Sequence, residues 1–105
     1  MTNKRLVLST AGTKEEAQKI AHTLVERRLA ACVNIIPEIQ SVYRWEGKVE
    51  SAEEFLLLIK TSAERFAEVA AALGELHSYE VPECVSVAID DGSADYLKWF
   101  AESVE

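Results

Sequence analysis

Within eight residues, His77-Ser78-Tyr79-Glu80-Val81-Pro82-Glu83-Cys84, the chain gathers one of its two histidines, one of its two cysteines and two carboxylates. An imidazole, a thiol and carboxylates mix soft and hard donors, a set that suits copper or zinc. The spacing narrows the choice. There is no Cys-x-x-Cys pair and no second histidine nearby, so a closed zinc site is not indicated. If Pro82 opens a strand, Glu83 and Cys84 point to opposite faces and cannot share one ion. His77 has a second role open to it, as a helix-end side chain that meets the last carbonyls. The candidate metal donors are therefore His77, Glu83 and, from an earlier apolar run, Cys32. Cys32 also reads as a small buried hydrophobe, because Ala31 and Val33 flank it and nothing beside it in sequence favours a thiolate.

A second set is aromatic. Tyr43, Trp45 and Tyr79 could line a ligand cleft with Lys60 as an anion contact, though the packing of an interface is the simpler explanation. Catalysis has little to work with, and the chain does not read as an enzyme. Only His22 and His77 serve as neutral-pH bases without a pKa shift, and His22 falls on the polar face of its helix. No nucleophile elbow, His-Glu-x-x-His helix, Walker loop or dinucleotide glycine motif occurs.

These residues are placed by a regular alternation of elements. Arg5-Leu6-Val7-Leu8-Ser9 reads as a strand. Thr13-Lys14-Glu15-Glu16 has the form of a capping box, with Glu16 reaching back to Thr13. Ala17, Ile20, Ala21, Leu24 and Val25 follow at helical spacing, and Arg27-Arg28 suit the negative end of that helix. Cys32 to Trp45 is extended, with a bulge or edge at Pro37. Beyond it Ile39, Ser41, Tyr43 and Trp45 share one face, and Glu46-Gly47 turns the chain. Phe55 to Ile59 is a continuous apolar strand. Thr61-Ser62-Ala63-Glu64 offers a second capping box before Phe66, Val69, Ala70, Leu73 and Leu76. Val81-Pro82 opens a fourth strand, and Ser93 caps a last helix. The order is strand, helix, strand, strand, helix, strand, helix. This is an α+β chain with a ferredoxin-like βαββαβ antiparallel sheet and an extra C-terminal helix.

The chain of 105 residues fits one domain, and 49% apolar residues suit a globular one. The formal charge is −7, and from His77 to the end seven acids face Lys98 alone. Nucleic acid and anionic membrane surfaces are thus excluded as partners, since they need clustered Lys and Arg. The acidic third reads either as a solvated face or as an attractor of cations. Two cysteines make no disulfide framework, no segment reads as a signal peptide or a membrane span, and a reducing cytoplasm is expected.

The hairpin is too long for its domain. The thirteen residues from Val33 to Trp45 reach about 40 Å at ~3.3 Å each. A compact domain of this size spans about 35 Å. The ribbon either curls back over its own sheet or meets another subunit, which would cover Val42, Tyr43, Trp45 and Val49.

The stretches Arg28 to Pro37, Ser41 to Gly47, Ile59-Lys60-Thr61, His77 to Glu83 and Gly92 to Trp99 resemble the CutA family of divalent-cation tolerance proteins, in the family's order and over nearly the whole chain. The resemblance implies a cytoplasmic homotrimer whose long hairpins pair across subunits, much as in the PII signalling proteins. It also implies binding of Cu(II) or another divalent cation. Some relatives carry cysteine where this chain has Ser9 and histidine where it has Leu76. With the match to His77, those are the positions tied to copper, so weak binding is expected here. The other reading is a trimeric small-molecule sensor with ligand clefts between subunits.

Overall fold

The computed structural model describes residues 2–105. Its elements are β1 (Lys4–Ala11), α1 (Lys14–Glu26), β2 (Cys32–Trp45), β3 (Lys48–Ser62), α2 (Phe66–Leu76), β4 (Val85–Ala88) and α3 (Ala94–Ser103). The four strands form one antiparallel sheet in the order β2-β3-β1-β4. This is the ferredoxin-like arrangement expected from the alternation of helical and extended patterns.

The core lies between one sheet face and the helix pair α1 and α2. Val7, Leu57 and Ile59 meet Ile20 and Leu24 of α1 and Val69 and Leu73 of α2, all fully buried. Burial of side chains this size contributes about 1.5–3 kcal/mol each. Ser9 shares this layer, and its Oγ is the one buried side-chain polar atom among the described residues without a hydrogen-bond partner.

Helix ends differ from the sequence reading where tertiary contacts claim the side chains. Thr13 caps α1 as expected, its Oγ1 accepting from the Glu16 amide at 3.1 Å. Glu16 does not reach back. Its Oε2 accepts the Ser78 amide at 3.0 Å instead. The α1 end is a Schellman turn: Leu29 N–H reaches Leu24 O and Arg28 N–H reaches Val25 O, with Arg28 at φ 59° where glycine is usual. The Arg28 side chain leaves its own helix and donates to the carbonyls of Glu102 and Glu105 at the end of α3.

The second capping box is not used. Thr61 and Ser62 stay in β3, paired with Arg5 and Lys4, and the Thr61 hydroxyl donates to Leu29 O at 2.6 Å. Consequently α2 begins only at Phe66. The fourth strand is likewise shorter than expected. It starts at Val85, because residues 77–84 are held by side-chain contacts and not by a ladder.

The other sheet face is open along much of its length. Registered neighbours place Leu6, Leu8, Ile36, Leu56, Leu58, Val85 and Val87 together on it. Val85 and Val87 remain about half exposed (51% and 46%). Cys32 also falls here, across from Lys60 and half-buried, with Sγ 3.8 Å from Asn34 Oδ1. It is therefore not a core residue: the apolar run around it belongs to the open face as much as to the helix-covered one. Phe100 of α3 is buried with Ala31 and Val104.

The hairpin overhangs as its length requires. β1 pairs with β3 from Ser62 down to Phe55, whereas β2 and β3 continue from Ile39↔Glu54 to Trp45↔Lys48 with no third strand. A bulge at Pro37 and Glu38 separates the two stretches, with Glu38 at φ 57°. The molecule accordingly measures 45 × 25 × 23 Å. At the tip, Glu46 (φ 50°) and Gly47 (φ 80°) make the left-handed pair of a type I′ turn.

A Cβ on Gly47 meets nothing within 4 Å, so any effect of adding one is conformational. Gly47→Ala should lower stability by about 1–2 kcal/mol. Glu46→Asn, the residue this turn prefers, should leave stability unchanged or raise it. Denaturant midpoints at a fixed protein concentration check both.

Candidate functional site

The segment after α2 is pinned at three points. His77 has a fully buried side chain with both ring nitrogens engaged. The Thr10 carbonyl only accepts and the Tyr79 amide only donates. Nε2 therefore carries the proton and gives it to Thr10 O at 2.5 Å, while Nδ1 accepts from Tyr79 N at 3.0 Å. Glu16 Oε1 stands 3.6 Å from Nδ1 and its other oxygen holds Ser78. The His77 and Tyr79 rings lie 4.5 Å apart between centroids.

Tyr79 makes the third point. Its hydroxyl donates to Glu54 Oε2 at 2.6 Å. Burial, then the hydrogen bond and charge of Glu54, push the phenol well above its ordinary value of about 10. A Cβ on Gly12 would stand 3.0 Å from this hydroxyl, so a bare glycine leaves the ring its place. Glu54 is itself only 6% exposed.

Between this segment and the ribbon lies a cleft of about 610 Å³. Tyr43 and Trp45 line one wall; Tyr79, Glu80 and Glu83 line the other, with Glu54 at the base. Register explains the grouping. Ile39, Ser41, Tyr43 and Trp45 alternate onto one ribbon face, and Glu54 sits across from Ile39 on that same face.

Of the residues singled out from sequence, Tyr43, Trp45, Tyr79 and Glu83 thus come together. His77 lies behind them, turned inward. Lys60 does not join them. It is six residues along β3 from Glu54, about 20 Å away, and its Nζ rests 3.2 Å from the Tyr96 hydroxyl. Cys32, paired with Lys60, is equally remote, so His77, Cys32 and Glu83 do not meet around one point. Among the described residues no group of three or more His, Cys, Asp or Glu stands close enough to hold a metal ion. Ser9 and Leu76 both belong to the helix-covered core layer. Cys84 packs against that layer too, and burial raises its thiol pKa. Sequence reasoning missed Glu54 and Thr10. The signal for Glu54 was a carboxylate pair, Glu53-Glu54, directly before an apolar strand, but which of the two faces the ribbon's aromatic side depends on the bulge.

Residues 5–103 match the family model described as CutA1 divalent ion tolerance protein. The chain belongs to the CutA1 family. It is 45% identical over 100 residues to the divalent-cation tolerance protein CutA of Thermus thermophilus, covering 95% of this chain and 97% of that one. The solved structure of the divalent cation tolerance protein from Thermus thermophilus superposes with a TM-score of 0.95. The CutA crystal structure from Xylella fastidiosa, 38% identical and covering 99% of this chain and 100% of that one, gives 0.96. A third CutA structure, from Archaeoglobus fulgidus, covers 97% of this chain and 99% of that one at 44% identity and a TM-score of 0.94, and is described as periplasmic. The CutA1 name denotes tolerance of divalent ions and not a reaction. No helix among the described residues is long and apolar enough to cross a membrane.

The Tyr79–Glu54 pair yields a pH signature. The native state holds the phenol proton more tightly than the unfolded chain does. The resulting stability is present below about pH 10 and is lost as pH rises above it. Tyr79→Phe should flatten that part of the alkaline fall. At neutral pH it should cost about 1–3 kcal/mol, because a buried carboxylate loses its donor. Thermal melts across the alkaline range, with phenolate absorbance as a second readout, measure both effects.

Proposed function

We propose that this chain acts as a homotrimer in divalent-cation tolerance, in the cytoplasm, taking up Cu(II) or a related divalent ion weakly. The observation that carries the assembly is the exposed apolar surface of the open sheet face and the ribbon. Val42, Val49, Val85 and Val87 are each 46–69% exposed on a single subunit. A surface of that kind favours self-association, and unpaired ribbon edges invite strands from further copies. A third copy closes the ring about a threefold axis. The acidic final third supports attraction of cations.

Weak binding follows from the donors. His77 is the imidazole closest in sequence to Glu80 and Glu83, and both of its nitrogens already hold backbone groups. A metal would have to displace Thr10 or Tyr79, which offsets part of the gain from ligation. Buried Ser9 and partly buried Leu76 carry no soft donor or imidazole here. Absent a second imidazole, Glu80 and Glu83 supply only hard oxygens, which hold Cu(II) less strongly than imidazole does.

A second reading is a trimeric small-molecule sensor in the manner of the PII proteins. The cleft lined by Tyr43, Trp45 and Tyr79 favours it.

Calorimetric titration of metal-free protein with Cu(II) and Zn(II) tests the metal reading. Cu(II) should bind with a Kd weaker than about 1 μM, and His77→Ala should weaken it further. An affinity indifferent to His77→Ala contradicts the assignment.

A further inference from the structure

The cleft beneath the ribbon has a chemical character that neither a metal site nor an anion site shares. Its walls offer three aromatic rings, Tyr43, Trp45 and Tyr79, and three carboxylates, Glu54, Glu80 and Glu83. No Lys, Arg or His lines it, and Lys48, across from Trp45 at the tip, stays outside. The expected anion contact, Lys60, lies at the other end of the sheet against Tyr96.

Glu54 is the telling residue. Only 6% of it is exposed, yet it opens on the cleft. Tyr79 satisfies Oε2. No other protein donor reaches this carboxylate among the described residues, so Oε1 is left for something else. Oε1 is not a buried unsatisfied atom; it opens on the cleft, where water or a ligand donor completes it. Tyr79 cannot supply a second proton, and its phenol keeps the one it donates. A cavity of about 610 Å³ is far larger than one ion and falls in the range for small organic molecules.

We propose that this cleft binds an organic cation bearing N–H donors, an alkylguanidinium or primary alkylammonium, with Glu54 as its anchor. The cation's N–H groups reach Glu54 Oε1. Its charge lies among the Tyr43, Trp45 and Tyr79 rings, whose faces attract cations. Glu80 and Glu83 at the rim draw it in and reject anions. A guanidinium or alkylammonium points several N–H donors at an open carboxylate oxygen, which a divalent ion cannot do. The inference rests on the second reading above, that the cleft is a ligand site, and is independent of metal binding.

The test uses the full chain in a Trp99→Phe background, so that Trp45 is the sole reporter, with butylguanidinium, the neutral isostere butylurea and tetramethylammonium as probes. Butylguanidinium should change Trp45 fluorescence saturably with a Kd below about 1 mM and bind about tenfold or more tighter than butylurea. Tetramethylammonium, without N–H donors, should be the weaker cation. Glu54→Gln should abolish the preference for butylguanidinium over butylurea. The exposed pair Glu80→Gln/Glu83→Gln, which touches no buried bond, should weaken butylguanidinium several-fold, and it serves as the test if Glu54→Gln fails to fold by circular dichroism. Equal binding of butylurea overturns the cation assignment while leaving a ligand site. Tetramethylammonium binding as tightly as butylguanidinium overturns the role of Glu54 as an N–H acceptor. No saturable response to any probe, with Trp45 emission already that of a buried indole, means a second copy fills the cleft and overturns both the inference and the sensor reading.

Discussion

Two strands outrun the sheet they belong to, and most of the molecule's character follows from that mismatch. β1 supplies pairing for eight residues of β3, down to Phe55. β2 and β3 then continue as a ribbon of seven further pairs with no third strand beside them. A two-stranded ribbon is marginal alone. The bulge at Pro37 and Glu38 falls at the point of departure, where extra twist re-aims the strand. Its aromatic face continues the open apolar face of the sheet.

The same departure creates the cleft. Once the ribbon leaves the sheet body, the space beside it is bounded by the stretch that follows α2. That stretch has no ladder to order it, so side chains hold it in place. Glu16 takes the Ser78 amide, His77 bridges Thr10 and Tyr79, and the Tyr79 hydroxyl closes onto Glu54 at the root of the ribbon. The histidine that looks most like a ligand is thereby a structural bridge between β1 and this stretch. Glu54, flanked in sequence by another glutamate, becomes the carboxylate on which the cleft is built.

The alternation of helical and extended patterns was legible in the residues, and with it the antiparallel sheet, the helix pair and the overhang. Hidden were the features set by register and by competition for side chains. Thr61 has the right neighbours to cap a helix, but its hydroxyl is claimed by Leu29 O and its backbone by β1, so α2 starts later. Cys32 sits in an apolar run, yet both sheet faces are apolar here, and nothing in the run says which one it joins. Lys60 and Tyr43 are both near the middle of the chain. Only the strand geometry reveals that one ends against Tyr96 and the other beside Tyr79. Arg28 looked like a charge for its own helix end and instead ties down the end of α3.

Further copies of the chain are proposed to cover the open face and the ribbon. Light scattering coupled to size exclusion over a range of micromolar concentrations tests this most directly. A single species near 35 kDa is expected, about three times the 11.7 kDa subunit, and it should dissociate in Trp45→Ala, which removes about 3–5 kcal/mol per truncated aromatic. A stable 11.7 kDa monomer with a well-folded ribbon, or a Trp45→Ala assembly as robust as the parent, would contradict it.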